Sequence, residues 1–196
     1  MPAAVAAPLI LQDPGYLFWA PAGSTLPTMA ALASTYAADA WPAAWIPLGA
    51  TKDGSKWKYG VKVEPVFVAE FLDPIRYSTT ERSGSLGFNL ASFHLNNLKR
   101  VLNGGTLSTV SGAGVTLSSK YVPGAPGTEV RPMLGWESLD NTVRMIAYQC
   151  INGTDVEIEM AKSPSYAVMP CMFNFEVPTS GTPFEWYGAG VGRLGA

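Results

Sequence analysis

A chain of 196 residues with one histidine and two cysteines has few ways to build a catalytic or metal centre. A Ser/His hydrolase needs its histidine within hydrogen-bond reach of the nucleophile. His94 lies two positions after Ser92, so on a helix their side chains diverge around the axis. It reads as a surface or half-buried helix position. Cys150 and Cys171 stand alone, without the paired spacing of a zinc site, and read as small buried hydrophobes. Asp155, Glu157 and Glu159 could hold a hard cation through adjacent carboxylates. Three acids at alternate positions more simply form the solvated face of a strand. SGAG and GAGVG do not sit between a strand and a helix, so they read as turns rather than phosphate cradles. Lys52, Lys56, Lys58 and Lys62 interleave with Trp57 and Tyr59, the vocabulary of a nucleic-acid face. The same pattern is the solvent side of a strand whose aromatic side faces a core. No cofactor is expected, and catalysis has no recognisable constellation to rest on.

What remains is assembly or binding, and composition favours assembly. Charged residues make up 14% of the chain, against roughly 25% in an average soluble domain. Glycine and proline number 20 and 16, while the apolar share is an ordinary 47%. Low charge without an enlarged core points to surface hidden in contacts between copies. The net charge of −2 and the absence of a basic run argue against tight nucleic-acid binding. MPAAVAAPLILQ lacks the positive start of a secretory signal, and no apolar run is long enough for a membrane span.

The elements that would position any site are mostly strands. Residues 1–44 contain no Lys or Arg and are rich in Ala and Pro. They read as an extended arm, docked on its own domain or a neighbour, with a possible helix over 28–38. From residue 45 to 196 the pattern is that of one β domain. Lys52-Asp53-Gly54-Ser55 carries a turn signal. Trp57, Tyr59, Val61 and Val63 then alternate with Lys58, Lys62 and Glu64, which predicts a strand with its apolar set on the core side. Pro65 marks an edge position or a bend. The run Val66 to Ala69 fits a segment buried on both faces. Residues 75–90 read as a strand broken near Gly84, and 106–110 with 115–119 as two short strands. Met133 to Leu139, Thr142 to Ile151 and Tyr166 to Val177 read as further strands. Val156, Ile158 and Met160 alternate with the three acids to suggest another. PFEWYGAGVGRLGA closes the chain as a short strand and a Gly-rich tail.

One helix interrupts this order, near residues 93–103. Ser92 is the expected N-cap. Leu95, Leu98, Val101 and Leu102 form an apolar stripe to lie on a sheet. Lys99 and Arg100 complement the negative end of the dipole, and Asn103-Gly104-Gly105 supplies a left-handed stop. So short a helix is not stable alone. The expected class is therefore mainly β, a sandwich or partly closed barrel of two packed antiparallel sheets with one flanking α-helix.

Residues 45–105, about a third of the chain, carry a family resemblance. The features are Leu48-Gly49-Ala50-Thr51 running into Asp53-Gly54, the alternating strand, Val68-Ala69-Glu70 and Asp73-Pro74-Ile75. Asn89-Leu90-Ala91 leading to the helix, then Asn96, Leu98 and Leu102-Asn103-Gly104-Gly105, complete them. This stretch resembles the major tail tube protein of long-tailed bacteriophages. The resemblance implies a tail-tube-like sandwich whose protomers form hexameric rings, with inner sheets joined into one barrel and rings stacked into a tube. It implies a virion protein assembled in the host cytoplasm, in a non-contractile tail, with a tape measure protein, a tail terminator and distal tail proteins as partners. Genomic DNA would pass through the lumen without specific binding.

Six protomers giving four strands each, spaced about 4.8 Å and tilted about 40°, make a barrel roughly 48 Å across, wide enough for duplex DNA. A conduit should not hold phosphates tightly, so its wall is expected to be neutral or acidic. Asp155, Glu157 and Glu159 are the first candidates for that wall, Glu64 and Glu70 the second. Lys52, Asp53, Gly54, Lys56, Lys58 and Pro65 are candidates for a loop reaching the adjacent ring. The arm of 1–44 and the tail after Phe184 are candidates for the same role. The alternatives are a related virion part, such as a tail terminator or capsid decoration protein, and a carbohydrate-binding module. The last would use Trp57, Trp136, Trp186 and Tyr187 as sugar platforms, although their period-two apolar neighbours favour core positions.

Overall fold

The computed structural model describes residues 15–28, 41–69, 73–112, 115–139, 141, 143–158, 167–179 and 181–188. In chain order the strands are β1 (Tyr16–Ala20), β2 (Ile46–Pro47), β3 (Thr51–Val66) and β4 (Arg76–Leu90). Helix α1 (Leu95–Val101) follows, then β5 (Thr106–Gly112), β6 (Val115–Val122), β7 (Met133–Glu137) and β8 (Val143–Ala147). The last are β9 (Cys150–Asn152), β10 (Met169–Phe175) and β11 (Phe184–Gly188). A five-stranded sheet, β11-β8-β7-β1-β2, packs on a four-stranded sheet, β3-β4-β10-β9, and β5-β6 form a separate hairpin. Every pairing is antiparallel. The mainly β, sandwich-like class is as the sequence implied, and no sheet closes into a barrel.

The core forms where the sheets face each other. Leu17, Leu134, Trp136 and Met145 come from one sheet, and Leu86, Phe88, Leu90, Cys171 and Phe173 from the other. Phe88 and Phe173 stack at 5.9 Å. A second cluster of Ala20, Trp45, Met133 and Ile146 lies on the opposite face of the five-stranded sheet, with Trp41 packed against it. Covered on both faces, β7 and β8 are buried at every position. That is why MLGWE and VRMIA show no polar alternation. Cys150 and Cys171 are free and buried.

Several expectations need correction. Residues 16–20, read as part of an arm, form a strand inside the five-stranded sheet, hydrogen-bonded to β2 and β7. Residues 1–14 and most of the expected 28–38 helix lie outside the described residues. Asp53 and Gly54 do not turn the chain back. Both take positive φ, 64° and 76°, but Lys52 pairs with Asn89 and Ser55 with Phe88, so they bulge out of one continuous strand. β4 is unbroken at Gly84, which pairs with Tyr59. The glycine is needed there because a Cβ would lie 2.6 Å from the Phe175 ring. Phe67 and Val68 are exposed rather than buried on both faces. Thr142 to Ile151 is two strands, interrupted at Tyr148 and Gln149. Residues 155–158 belong to no strand, although Val156 and Ile158 do pack on the core.

The helix begins later than expected, and for a clear reason. The Ser92 hydroxyl accepts a hydrogen bond from Ala50 N–H at 2.9 Å, so it is not available to cap. His94 is the N-cap instead, its Nδ1 accepting from Asn97 N–H at 3.2 Å. Asn97 is fully buried, and its amide donates to Leu48 O and Ser92 O, both at 2.9 Å. The stripe is thus Asn97, Leu98 and Val101, with Leu95 half-buried at its edge. Leu102 is exposed, because the helix ends one residue before it. Asn103 takes the left-handed turn at φ 55°, and Gly104 N–H closes the end on Lys99 O at 2.9 Å.

Candidate assembly surface

The most distinctive surface grows out of β3 and β4. β10 hydrogen-bonds β4 only from Ser85 to Leu90. Beyond that point Tyr59–Val66 and Arg76–Gly84 pair only with each other among the described residues. They form a two-stranded ribbon whose outer edges have no partner strand among the described residues. At about 3.3 Å per residue, the 16 residues of β3 span about 50 Å. Pro65 is tolerated within it because β3 is an edge strand, where the missing N–H would face outward.

Register assigns the ribbon's faces. Leu86, Phe88 and Leu90 are core residues, and their partners are Trp57, Ser55 and Thr51. The same face continues outward through Tyr59, Val61, Val63 and, on β4, Tyr77. These side chains alternate as the sequence implied, but they leave the core behind. Tyr59 is 37% exposed, Val61 49%, Val63 52% and Tyr77 68%. The opposite face carries Lys56, Lys58, Lys62 and Glu64, with Lys62 and Glu64 paired at 3.2 Å. At the root, Trp57 meets Phe184 and Trp186 of β11 edge to face, at 5.6 Å and 5.8 Å. Trp186 contacts the buried Trp136 at 5.8 Å. A half-exposed aromatic cluster therefore joins the edge strands of the two sheets on this side.

The remaining candidates are scattered. Asp155 and Glu157 are exposed on the segment after β9, and Glu64 is on β3, so these acids share no sheet face. Glu70 and Glu159 lie outside the described residues. Lys52, Lys56, Lys58 and Pro65 are exposed along β3, with Asp53 and Gly54 in its bulge. Among the described residues, no three His, Cys, Asp or Glu side chains gather as a metal site, and no helix is long and apolar enough to cross a membrane.

Two polar clusters were not read from the sequence. Glu137 and Arg144 pair at 2.7 Å with side chains only 6% and 0% exposed. Trp41 donates its indole N–H to the other Glu137 oxygen and lies under the guanidinium at 4.7 Å. Near β11, the hydroxyls of Tyr148 and Tyr187 both donate to Glu185 Oε2. These bonds hold the Glu185 carboxyl below its ordinary range. Burial, then the two hydrogen-bonded neighbours, push the Tyr148 phenol far up.

Compared with known proteins, the chain matches no protein-family model and no curated protein.

Proposed function

We propose that the protein is a structural subunit of a long-tailed bacteriophage virion, the major tail tube protein. Its copies would form hexameric rings stacked into a DNA conduit. One observation carries the reading: the β3–β4 ribbon, with no partner strand along either edge among the described residues, carries an exposed apolar face. An isolated two-stranded ribbon is marginally stable. A long apolar edge is also an aggregation hazard unless a partner covers it. Copies of the same chain supply that cover and turn the hazard into an assembly contact. The sheet that would be joined around a ring has four strands, the number the barrel estimate uses. The outward face of that sheet carries Lys56, Lys58 and Lys62 with Glu64, so the acidic lumen wall expected of a conduit is not part of the proposal.

The resemblance over residues 45–105 selects a tube subunit among assembling β proteins. The carbohydrate-binding reading keeps one observation in its favour, the half-exposed Trp57 and Trp186. The apolar stripe beyond them, through Val61 and Val63, offers little to sugar hydroxyls and suits protein contact better.

Sedimentation of the double variant Val61→Glu, Val63→Glu beside the wild type tests the proposal. Both positions are half-exposed, so the isolated fold should keep its stability within about 0.5 kcal/mol. Wild type should form rings and longer assemblies, and the variant should remain monomeric. A variant that assembles as well as wild type would remove the ribbon from the interface.

A further inference from the structure

On the flank away from the ribbon's apolar face, helix α1 and strand β1 enclose a cleft of about 330 Å³. Its walls include Trp19, Pro21 and Val130, which are apolar, and Lys99 and Arg100 from the last turn of the helix. The Arg100 guanidinium sits over the Trp19 ring at 5.3 Å. One of its nitrogens donates to Asn97 Oδ1 at 2.9 Å, and its remaining N–H groups have no carboxylate partner among the described residues. Lys99 has no such partner there either.

Cations in a last helical turn are ordinary, because they complement the dipole. The Trp19 ring is the independent observation, because it puts an apolar aromatic wall directly beneath the Arg100 guanidinium in the same cleft. Its N–H is buried and has no acceptor among the described residues. The cleft therefore combines two cations that have no carboxylate partner among the described residues with an apolar lining.

We propose that this cleft binds an organic carboxylate, with its oxygens on Arg100 and Lys99 and its apolar stem against Trp19, Pro21 and Val130. A carboxylate suits the guanidinium in charge and in planar, two-point geometry. The apolar walls favour a carboxylate on a hydrocarbon stem over a fully hydrated inorganic anion. Burial lowers the Arg100 pKa, and a bound anion would offset that loss of hydration. The carboxylate can come from a free small molecule or from an acidic side chain on a second copy. Both present the same group to the same residues.

The test is nuclear magnetic resonance of protein labelled at the tryptophan indole nitrogens, with phenylacetate as probe. Trp19→Phe assigns the signal. The Trp19 N–H resonance should shift saturably with phenylacetate. The double variant Lys99→Gln, Arg100→Gln should bind at least about tenfold more weakly, the loss of a charge-assisted contact. Circular dichroism of that variant should match wild type, since both substituted side chains are only partly buried. Without probe, a shift that grows with protein concentration and vanishes in the double variant would identify a second copy as the source. A shift seen only with phenylacetate would identify a free ligand. No saturable shift, an equal shift with the neutral 2-phenylethanol, or an equal one with inorganic phosphate would each overturn the proposal.

Discussion

Trp57 of β3 and Trp186 of β11 meet edge to face with ring centroids 5.8 Å apart, joining the two sheets where each ends in an edge strand. The contact fixes the root of the ribbon, so its direction is set by aromatic packing rather than by ladder hydrogen bonds alone. Trp57 also stacks on Tyr59 and meets Phe184. Trp57→Ala removes all three contacts from a half-exposed position and should cost about 2 kcal/mol in urea unfolding at low protein concentration. A loss under about 0.5 kcal/mol would mean the cluster does not hold the ribbon.

Glu137 and Arg144 form a buried pair between β7 and β8. Removing one partner leaves the other charge buried and uncompensated. Glu137→Ala should therefore destabilise by about 3–5 kcal/mol, while replacing both residues by apolar ones of similar volume should cost much less. Chemical denaturation of the single and double variants reads the difference. Equal losses would place the energy in packing rather than in the orphaned charge.

Glu185 and Tyr148 set opposite limbs of the pH profile. The folded Glu185 pKa is depressed, so its contribution is present above the unfolded value near 4.5 and is lost as pH falls. The folded Tyr148 pKa is raised, so its contribution is present below the unfolded value of 10.0 and is lost as pH rises beyond it. Glu185→Gln should flatten the acid limb and Tyr148→Phe the alkaline limb. Unfolding midpoints across pH would contradict this if both variants kept the wild-type slopes.

Both thiols should be inert in the folded protein. Burial raises the Cys150 pKa strongly and takes that of Cys171 to about 12, so neither supplies thiolate near neutral pH. A thiol reagent should label neither cysteine natively and both after unfolding, without added reductant. Rapid native labelling would show that the core opens locally at β9 or β10.

Sequence carried the local structure well and the long-range partners poorly. Asn103-Gly104-Gly105 stops the helix because left-handed backbone is a local property. The β5 and β6 strands were visible for a similar reason, from their spacing around a small-residue turn. Asp53-Gly54 shows the limit: the dipeptide does signal positive φ, but pairing with Asn89 and Phe88 decides that it bulges instead of turning. Ser92 would cap a helix in isolation, and Ala50 from a distant segment takes its hydroxyl. Glu137 and Arg144 pair in register on β7 and β8. Trp41, distant in sequence, covers the pair, which no local pattern reveals. The alternating apolar residues of β3 are legible, but not that Tyr59, Val61 and Val63 extend past the core. That fact follows from where β10 stops.

The central claim is that this chain assembles through its ribbon into a conduit. Negative-stain electron microscopy across a protein concentration series, with mass by light scattering, tests it most directly. The proposal predicts six-fold rings or hollow tubes with a bore wider than duplex DNA, growing with concentration and absent from the Val61→Glu, Val63→Glu variant. Wild-type protein that stays monomeric at every concentration, or that assembles without a central channel, would contradict it.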